Sequence, residues 1–183
     1  MNELQDIIGS MVFGGIILVM VVGFNGTITQ SAALQTFHTN VQSNLTTVTN
    51  ILETDLRLSG YRITDSNKVS FADTSKIVFK GDFDDNGTVD SITYYLGTTA
   101  PPGVINPRAR ILYRTLNTQR AQQMNAGITK FRLWYYDAQD NATAVLSKIR
   151  SLKIAISIES TQPYDTTYSG GYWERIIKPK NLR

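Results

Sequence analysis

The sequence IIGSMVFGGIILVMVVGF, residues 7–24, contains no charged side chain. An uncharged apolar stretch of about 18 or more residues is long enough to cross the hydrocarbon core of a bilayer as a helix. Residues 7–24 are therefore predicted to form a membrane-spanning helix. The first basic residue of the chain is Arg57. The positive-inside rule consequently gives no orientation for this segment.

Three interpretations of this segment compete: a cleaved signal peptide, a plain membrane anchor, and an anchor that is reused to polymerise. A secretory signal has basic residues before an apolar core of about 7–15 residues. Here residues 1–6, MNELQD, are acidic without any Lys or Arg. The small residues Ser31-Ala32-Ala33, which resemble a cleavage site, lie well beyond Phe24. The third interpretation is favoured, because the helical pattern continues past the apolar stretch.

Beyond residue 24 the apolar residues recur every three or four positions, which indicates one stripe of an amphipathic helix. Gly60 suits the C-terminal cap of a helix that begins at Asn2 and ends at Ser59. At ~1.5 Å per residue such a helix is about 85–90 Å long, so lipid or other chains must cover its apolar half. Poor helix formers between Gly23 and Thr29, among them Gly26, predict a weak zone. The stripe consists of Leu34, Phe37, Val41, Leu45, Val48, Leu52 and Leu56.

The remainder of the chain predicts β-structure. Leu152, Ile154, Ile156 and Ile158 alternate with more polar residues, as in a strand with one buried face. Turn sequences separate the segments. We expect an α+β fold with two domains: the helix of residues 1–59 and a head of residues 60–183, an antiparallel sheet packed on the second half of the helix. The predicted strands are Lys76–Lys80, Ser91–Leu96, Arg110–Leu116, Ile128–Asp137, Ile149–Glu159 and Tyr172–Ile177.

Composition argues against catalysis. The chain has no cysteine and a single histidine, His38, on the polar side of the predicted helix. No nucleophile–base pair can be assembled around that histidine, and no glycine-rich phosphate-binding motif is present. The net charge of +3 is small, so no nucleic-acid partner is expected. The many Tyr and Trp residues of the strands are interpreted as sheet packing or interface contacts. The protein is predicted not to be an enzyme.

One loop is a candidate metal site. In DFDDNGTVD, residues 82–90, Asp82, Asp84 and Asn86 take the first, third and fifth positions of a calcium loop. Gly87 provides the turn, Thr88 a carbonyl and Asp90 the ninth position, whereas the twelfth position is Thr93 instead of Glu. Asn-Gly is also the favoured chemistry of a plain hairpin turn. Calcium, the only cofactor considered, and the plain hairpin both remain open.

Taken together, these segments resemble type IV pilin-like proteins, and most closely minor pilins and pseudopilins of the PilW and type II secretion J kind. The resemblance spans most of the chain and rests on LETDLRLSGYRIT at 52–64, IVFKGDFDDNGTVDSITYYL at 77–96, ILYRTLN at 111–117, GITKFRLWYYDAQDN at 127–141, IRSLKIAISIES at 149–160 and WERIIKPKNL at 173–182.

The resemblance implies a helical filament with the apolar helices in its core. It also implies storage in the inner membrane, assembly on an inner-membrane platform by an ATPase, and a final position at the cell surface. Partners would be copies of the chain or other pilins. The family's basic leader is not seen before residue 7, and Glu3 or Asp6 would stand in for its conserved glutamate. A pseudopilin of a secretion system and a membrane-anchored exported binding module are the alternative functions.

Overall fold

The computed structural model describes residues 2–64 and 67–182 of the chain. Helix α1 spans Asn2–Arg57, and the chain forms two compact units, Met1–Phe37 and His38–Arg183. The described part of the first unit is entirely helical. The helix is unbroken through the predicted weak zone, where the Thr27 and Thr29 hydroxyls donate to carbonyl oxygens one turn earlier. Those local bonds leave the threonine hydroxyls satisfied without any partner chain.

The second unit combines the end of α1 with one antiparallel sheet, which confirms the predicted α+β fold. Its described residues form seven strands, which lie side by side in chain order, each antiparallel to the next. They are β1 (Val69–Ala72), β2 (Lys76–Gly81), β3 (Asp90–Leu96), β4 (Arg110–Leu116), β5 (Gln122–Tyr136), β6 (Ser151–Glu159) and β7 (Gly170–Ile177). Two short 3-10 turns, Leu146–Lys148 and Lys180–Leu182, complete the described structure.

One face of the sheet carries the hydrophobic core, and we call it the inner face. The predicted helix stripe lies against it from Val41 to Leu56, and every stripe residue in that range is buried. The strands contribute Phe79, Ile92, Leu133 and Ile154 among others. Residues that alternate with these along each strand point to the opposite, outer face. The second compact unit therefore includes the part of α1 from residue 38 onward, and the first unit contains the part before it.

Strand β5 differs most from its predicted extent, since it starts at Gln122 instead of Ile128. Its first part pairs with β4 and its second part with β6, with irregular register on both sides near Ile128. Gly127 adopts φ +73 there, and a Cβ at this position would lie 2.2 Å from the Glu159 carbonyl oxygen. Only glycine fits such a close approach without strain. The polar composition of residues 122–127 hides this strand from hydrophobic periodicity.

Helix α1 ends at Arg57, two residues before the predicted Ser59, and Gly60 lies in the turn that follows with φ +79. Its amide donates to the Lys80 carbonyl oxygen at 2.7 Å, and the Asp82 amide donates to the Tyr61 carbonyl oxygen at 3.1 Å. These two bonds join the helix end to β2 and to the segment that follows β2. The loop of residues 82–90 is thus held directly beside the helix terminus.

Candidate functional site

The apolar surface of the first unit is the larger of two candidate sites. We define the apolar helix surface as the large apolar side chains of residues 4–24. Each of these is at least 47 % exposed, and Met11 reaches 75 %. The α1 helix is long and apolar enough to cross a membrane, with a mean hydropathy of 2.5 in its most apolar window. None of that window is buried by the described residues. A patch of this size on a protein marks an interaction with lipid or with other chains.

Four residues predicted to serve assembly lie on this helix. Glu3 and Asp6 are exposed, and no salt bridge to either is formed within residues 2–64 and 67–182. Gly23 and Gly26 are also exposed, and a Cβ built on either would meet open space. The chain's own fold therefore gives these glycines no packing role.

The second candidate site is the loop between β2 and β3, which brings together three of the predicted ligands. Carboxylate oxygens of Asp82, Asp84 and Asp90 lie within 4.8 Å of one another. Asp82 and Asp90 are buried at 3 % and 5 % exposure, whereas Asp84 is exposed. Asp85 and Gly87 adopt left-handed φ values of 60 and 84, which fold the loop back over Asp82. Converging oxygens of this kind are what a hard cation requires.

Hydrogen bonds within the loop already occupy several of the acceptor sites of these carboxylates. The Asn86 and Gly87 amides donate to the two Asp82 carboxylate oxygens, at 3.1 and 3.0 Å. The Asp90 carboxylate accepts from the Phe83 amide and from the Asn117 side chain, at 3.3 and 2.7 Å. A plain hairpin without a bound ion, closed by its own side chains, would contain the same hydrogen bonds.

Asn86 and Thr88, the other two predicted ligands, contact each other. The Asn86 side-chain oxygen accepts from the Thr88 amide at 2.7 Å and also from the Thr88 hydroxyl. The Asn86 side-chain amide donates to Asp84 at 2.7 Å. The structure thus gathers the aspartates and turns the Asn86 oxygen towards Thr88. Calcium binding by this loop stays a prediction.

Arg62 is a member of the loop site that sequence reasoning missed. It lies in the turn after α1 with φ 56, and its guanidinium contacts Asp82 at 3.0 Å and Asp85 at 2.8 Å. Burial disfavours the charged form of Asp82, but the hydrogen bonds from Arg62, Gly87 and Asn86 outweigh it and lower the pKa of Asp82. Twenty residues separate Arg62 from Asp82, and no local sequence pattern links them.

A second group of interacting residues that the sequence did not predict joins α1 to the inner face. The Arg114 guanidinium of β4 donates to both Asp55 carboxylate oxygens, at 2.6 and 3.2 Å. The Tyr94 hydroxyl of β3 donates to the same carboxylate at 2.5 Å. Burial, followed by the Asp55 charge, raises the pKa of Tyr94 far above its usual range. This buried triad positions the helix on the sheet and offers no reactive nucleophile.

Comparisons of the chain with protein-family models, with curated proteins and with solved structures give no match. The described residues define an α+β class of protein, with a long N-terminal helix whose apolar first half is able to span a membrane.

Proposed function

We propose that the protein is a structural subunit of an extracellular filament of the type IV pilin kind, polymerising through its N-terminal helix. The observation that carries the proposal is the apolar helix surface of residues 4–24, which the described residues leave uncovered. Lipid would cover this surface before assembly, and the same surface of neighbouring subunits would cover it afterwards. The head contributes its own core from residue 41 onward, so it does not need the apolar half to fold.

The residues between the apolar half and the sheet support a filament over a plain anchor. From Asn25 to Asn40 the helix continues for about 24 Å at 1.5 Å per residue, and it is exposed along most of this length. A monomeric anchor needs no such extension, whereas a subunit packed among parallel helices would bury it. Partners under this proposal are copies of the chain or other pilins, an inner-membrane assembly platform and its ATPase.

A membrane-anchored exported binding module is the second candidate. The observation that favours it is the convergence of the Asp82, Asp84 and Asp90 carboxylates in the head. A pseudopilin of a type II secretion-like system would share the filament geometry and differ only in filament length and location.

Cysteine cross-linking separates the filament from the anchor, because the chain has no cysteine of its own. Surface filaments sheared from cells that express Val19→Cys should give disulfide-linked subunits on oxidation, since Val19 lies in the apolar helix surface. Thr166→Cys, in an exposed turn of the head, is the matched control and should cross-link far less. Electron microscopy and mass spectrometry of the sheared material identify the subunit. If the protein stays in the membrane fraction and no filament contains it, the filament proposal is wrong.

A further inference from the structure

The outer face of the sheet is strongly basic. Its outward strand positions carry the cations Lys76, Lys80, Lys130, Arg132 and Lys153, against the carboxylates Glu159 and Glu174. Both carboxylates already have partners: Arg108 binds Glu159 at 2.8 Å, and Lys153 binds Glu174 at 2.7 Å. Within the described residues no salt bridge is formed by the remaining four cations.

Aromatic side chains lie among these cations on the same face. The Trp134 ring has the Arg132 guanidinium 5.7 Å and the Lys153 ammonium 5.1 Å from its centroid. Lys76 lies 5.1 Å from the Phe71 centroid, and Phe71 is 44 % exposed. At the exposed edge strand β7, Tyr172 is 59 % exposed. Of these three rings, those of Phe71 and Tyr172 are exposed and that of Trp134 is half-buried.

Two open clefts flank the second half of β5, whose outward residues are Lys130, Arg132, Trp134 and Tyr136. One cleft of about 730 Å³ is lined by Arg108, Arg110 and Lys130 among others. The other, of about 430 Å³, lies between β5 and the β1–β2 turn and is lined by Trp134, Tyr135, Tyr136 and Asp73 among others. The row of outward β5 side chains thus connects a cationic cleft with an aromatic cleft.

We propose that this outer face binds single-stranded nucleic acid. A single strand needs cations along its backbone and exposed rings on which unpaired bases stack, and the outer face provides both. A duplex fits less well, because its bases are already stacked on each other and unavailable to Trp134 and Tyr136. An acidic protein or polysaccharide would use the cations but has no bases to stack on the rings. The expectation of no nucleic-acid partner rested on the small net charge of +3, which does not show how the charges are distributed over the sheet.

The inference does not depend on polymerisation, so it can be tested on the full-length protein in detergent micelles. The probe is a fluorescent 30-nucleotide oligo-dT, and the measurement is anisotropy at several salt concentrations. Lys130→Gln with Arg132→Gln should weaken binding and reduce the slope of log K against log salt by about 1.4, since each phosphate contact on a single strand contributes about 0.7. Lys180→Gln, which removes a cation from the C-terminal 3-10 turn, should leave the affinity and the salt dependence of binding almost unchanged.

Trp134→Leu tests the stacking step separately from charge and should weaken oligo-dT binding about tenfold. Heparin, an acidic polymer without bases, should bind the wild type and the Trp134→Leu variant equally. Circular dichroism melts of each variant establish that the head is folded. The proposal is overturned if oligo-dT does not bind at low salt, if Trp134→Leu binds oligo-dT as the wild type does, or if Lys180→Gln reduces binding as much as the β5 double variant.

Discussion

Replacing Asp55 by alanine should destabilise the head more than any exposed ion-pair substitution. Asp55 lies in the last turns of α1, and its side chain is 11 % exposed, with that of Arg114 at 15 %. Its carboxylate accepts two hydrogen bonds from Arg114 and one from Tyr94. The substitution leaves the guanidinium and the hydroxyl on the inner face without their acceptor. Alanine is a better helix former than aspartate, so any loss of stability comes from the triad.

The expected magnitude follows from this geometry. Removing one partner of a fully buried ion pair costs about 3–5 kcal/mol, because the other charge stays buried without compensation. Arg114 is only partly buried, so the cost of Asp55→Ala should lie towards the lower end of that range. Tyr94→Phe removes a single hydrogen bond to a charged acceptor and should cost about 1.5–3 kcal/mol. Lys178→Gln is the control, because the pair between Lys178 and Asp140 is 59 % and 66 % exposed. Exposed pairs contribute about 0–1 kcal/mol.

Urea unfolding of a fragment that begins at Asn25 measures these differences, with tryptophan fluorescence as the probe. The midpoint for Asp55→Ala should fall at unchanged m-value, since the same surface is exposed on unfolding. The fall should exceed those for Tyr94→Phe and Lys178→Gln. If Asp55→Ala costs no more than Lys178→Gln, the triad does not hold the helix to the sheet and the reasoning fails.

Four further predictions concern assembly and the loop of residues 82–90. Glu3→Ala with Asp6→Ala should lower filament yield without changing the melting temperature of the head, because a carboxylate among packed apolar helices must pair with a neighbour; normal yield would contradict this. In an assembled filament, residues Gly23–Thr29 should lose regular helical geometry, and a high-resolution filament map showing an unbroken helix there would disprove it. For the loop, millimolar calcium should raise the melting temperature of the head relative to chelator if the aspartates bind it, and equal melts would leave the hairpin interpretation. The lowered pKa of Asp82 means that its stabilising effect is complete above its usual pKa near 4 and is lost as the pH falls below that value; Asp82→Asn should flatten this acid limb of a pH–stability curve.

Periodic elements of the fold could be predicted from the sequence, because each is encoded by neighbouring residues. Strand β4 has its predicted bounds, Arg110–Leu116, and the helix stripe from Val41 to Leu56 lies in the core. Strand β1 was not predicted, since four residues, VSFA, are too short to show alternation. The predicted ends of β2 and β3 differ by one residue each, because Gly81 and Asp90 continue the ladder although neither is apolar.

The parts of the sites that were not predicted depend on contacts between residues that are far apart in the sequence. Arg62 reaches Asp82 and Asp85 across a turn, and Asp55 meets Arg114 only because the helix end packs on β4. The predicted loop aspartates do converge, since they are close in sequence and the loop folds back on itself. The basic outer face was hidden because its cations lie on three different strands. The sequence thus predicts interactions between neighbouring residues, but it does not predict which side chains from different helices and strands contact each other.

The position of the ion pairs on α1 suits the proposed filament. Asp55 binds Arg114 of β4, and Glu53 binds Arg175 of β7 at 2.6 Å, so the last turns of the helix are tied to the middle strand and to an edge strand of the sheet. If the apolar half is held in a filament core, tension along the filament reaches the head through these turns. The buried hydrophobic stripe resists both separation from the sheet and sliding along it, because close-packed side chains cannot shift without losing contacts. The ion pairs from two strands to two helical positions add directional bonds at the turns that would carry the load in the proposed filament.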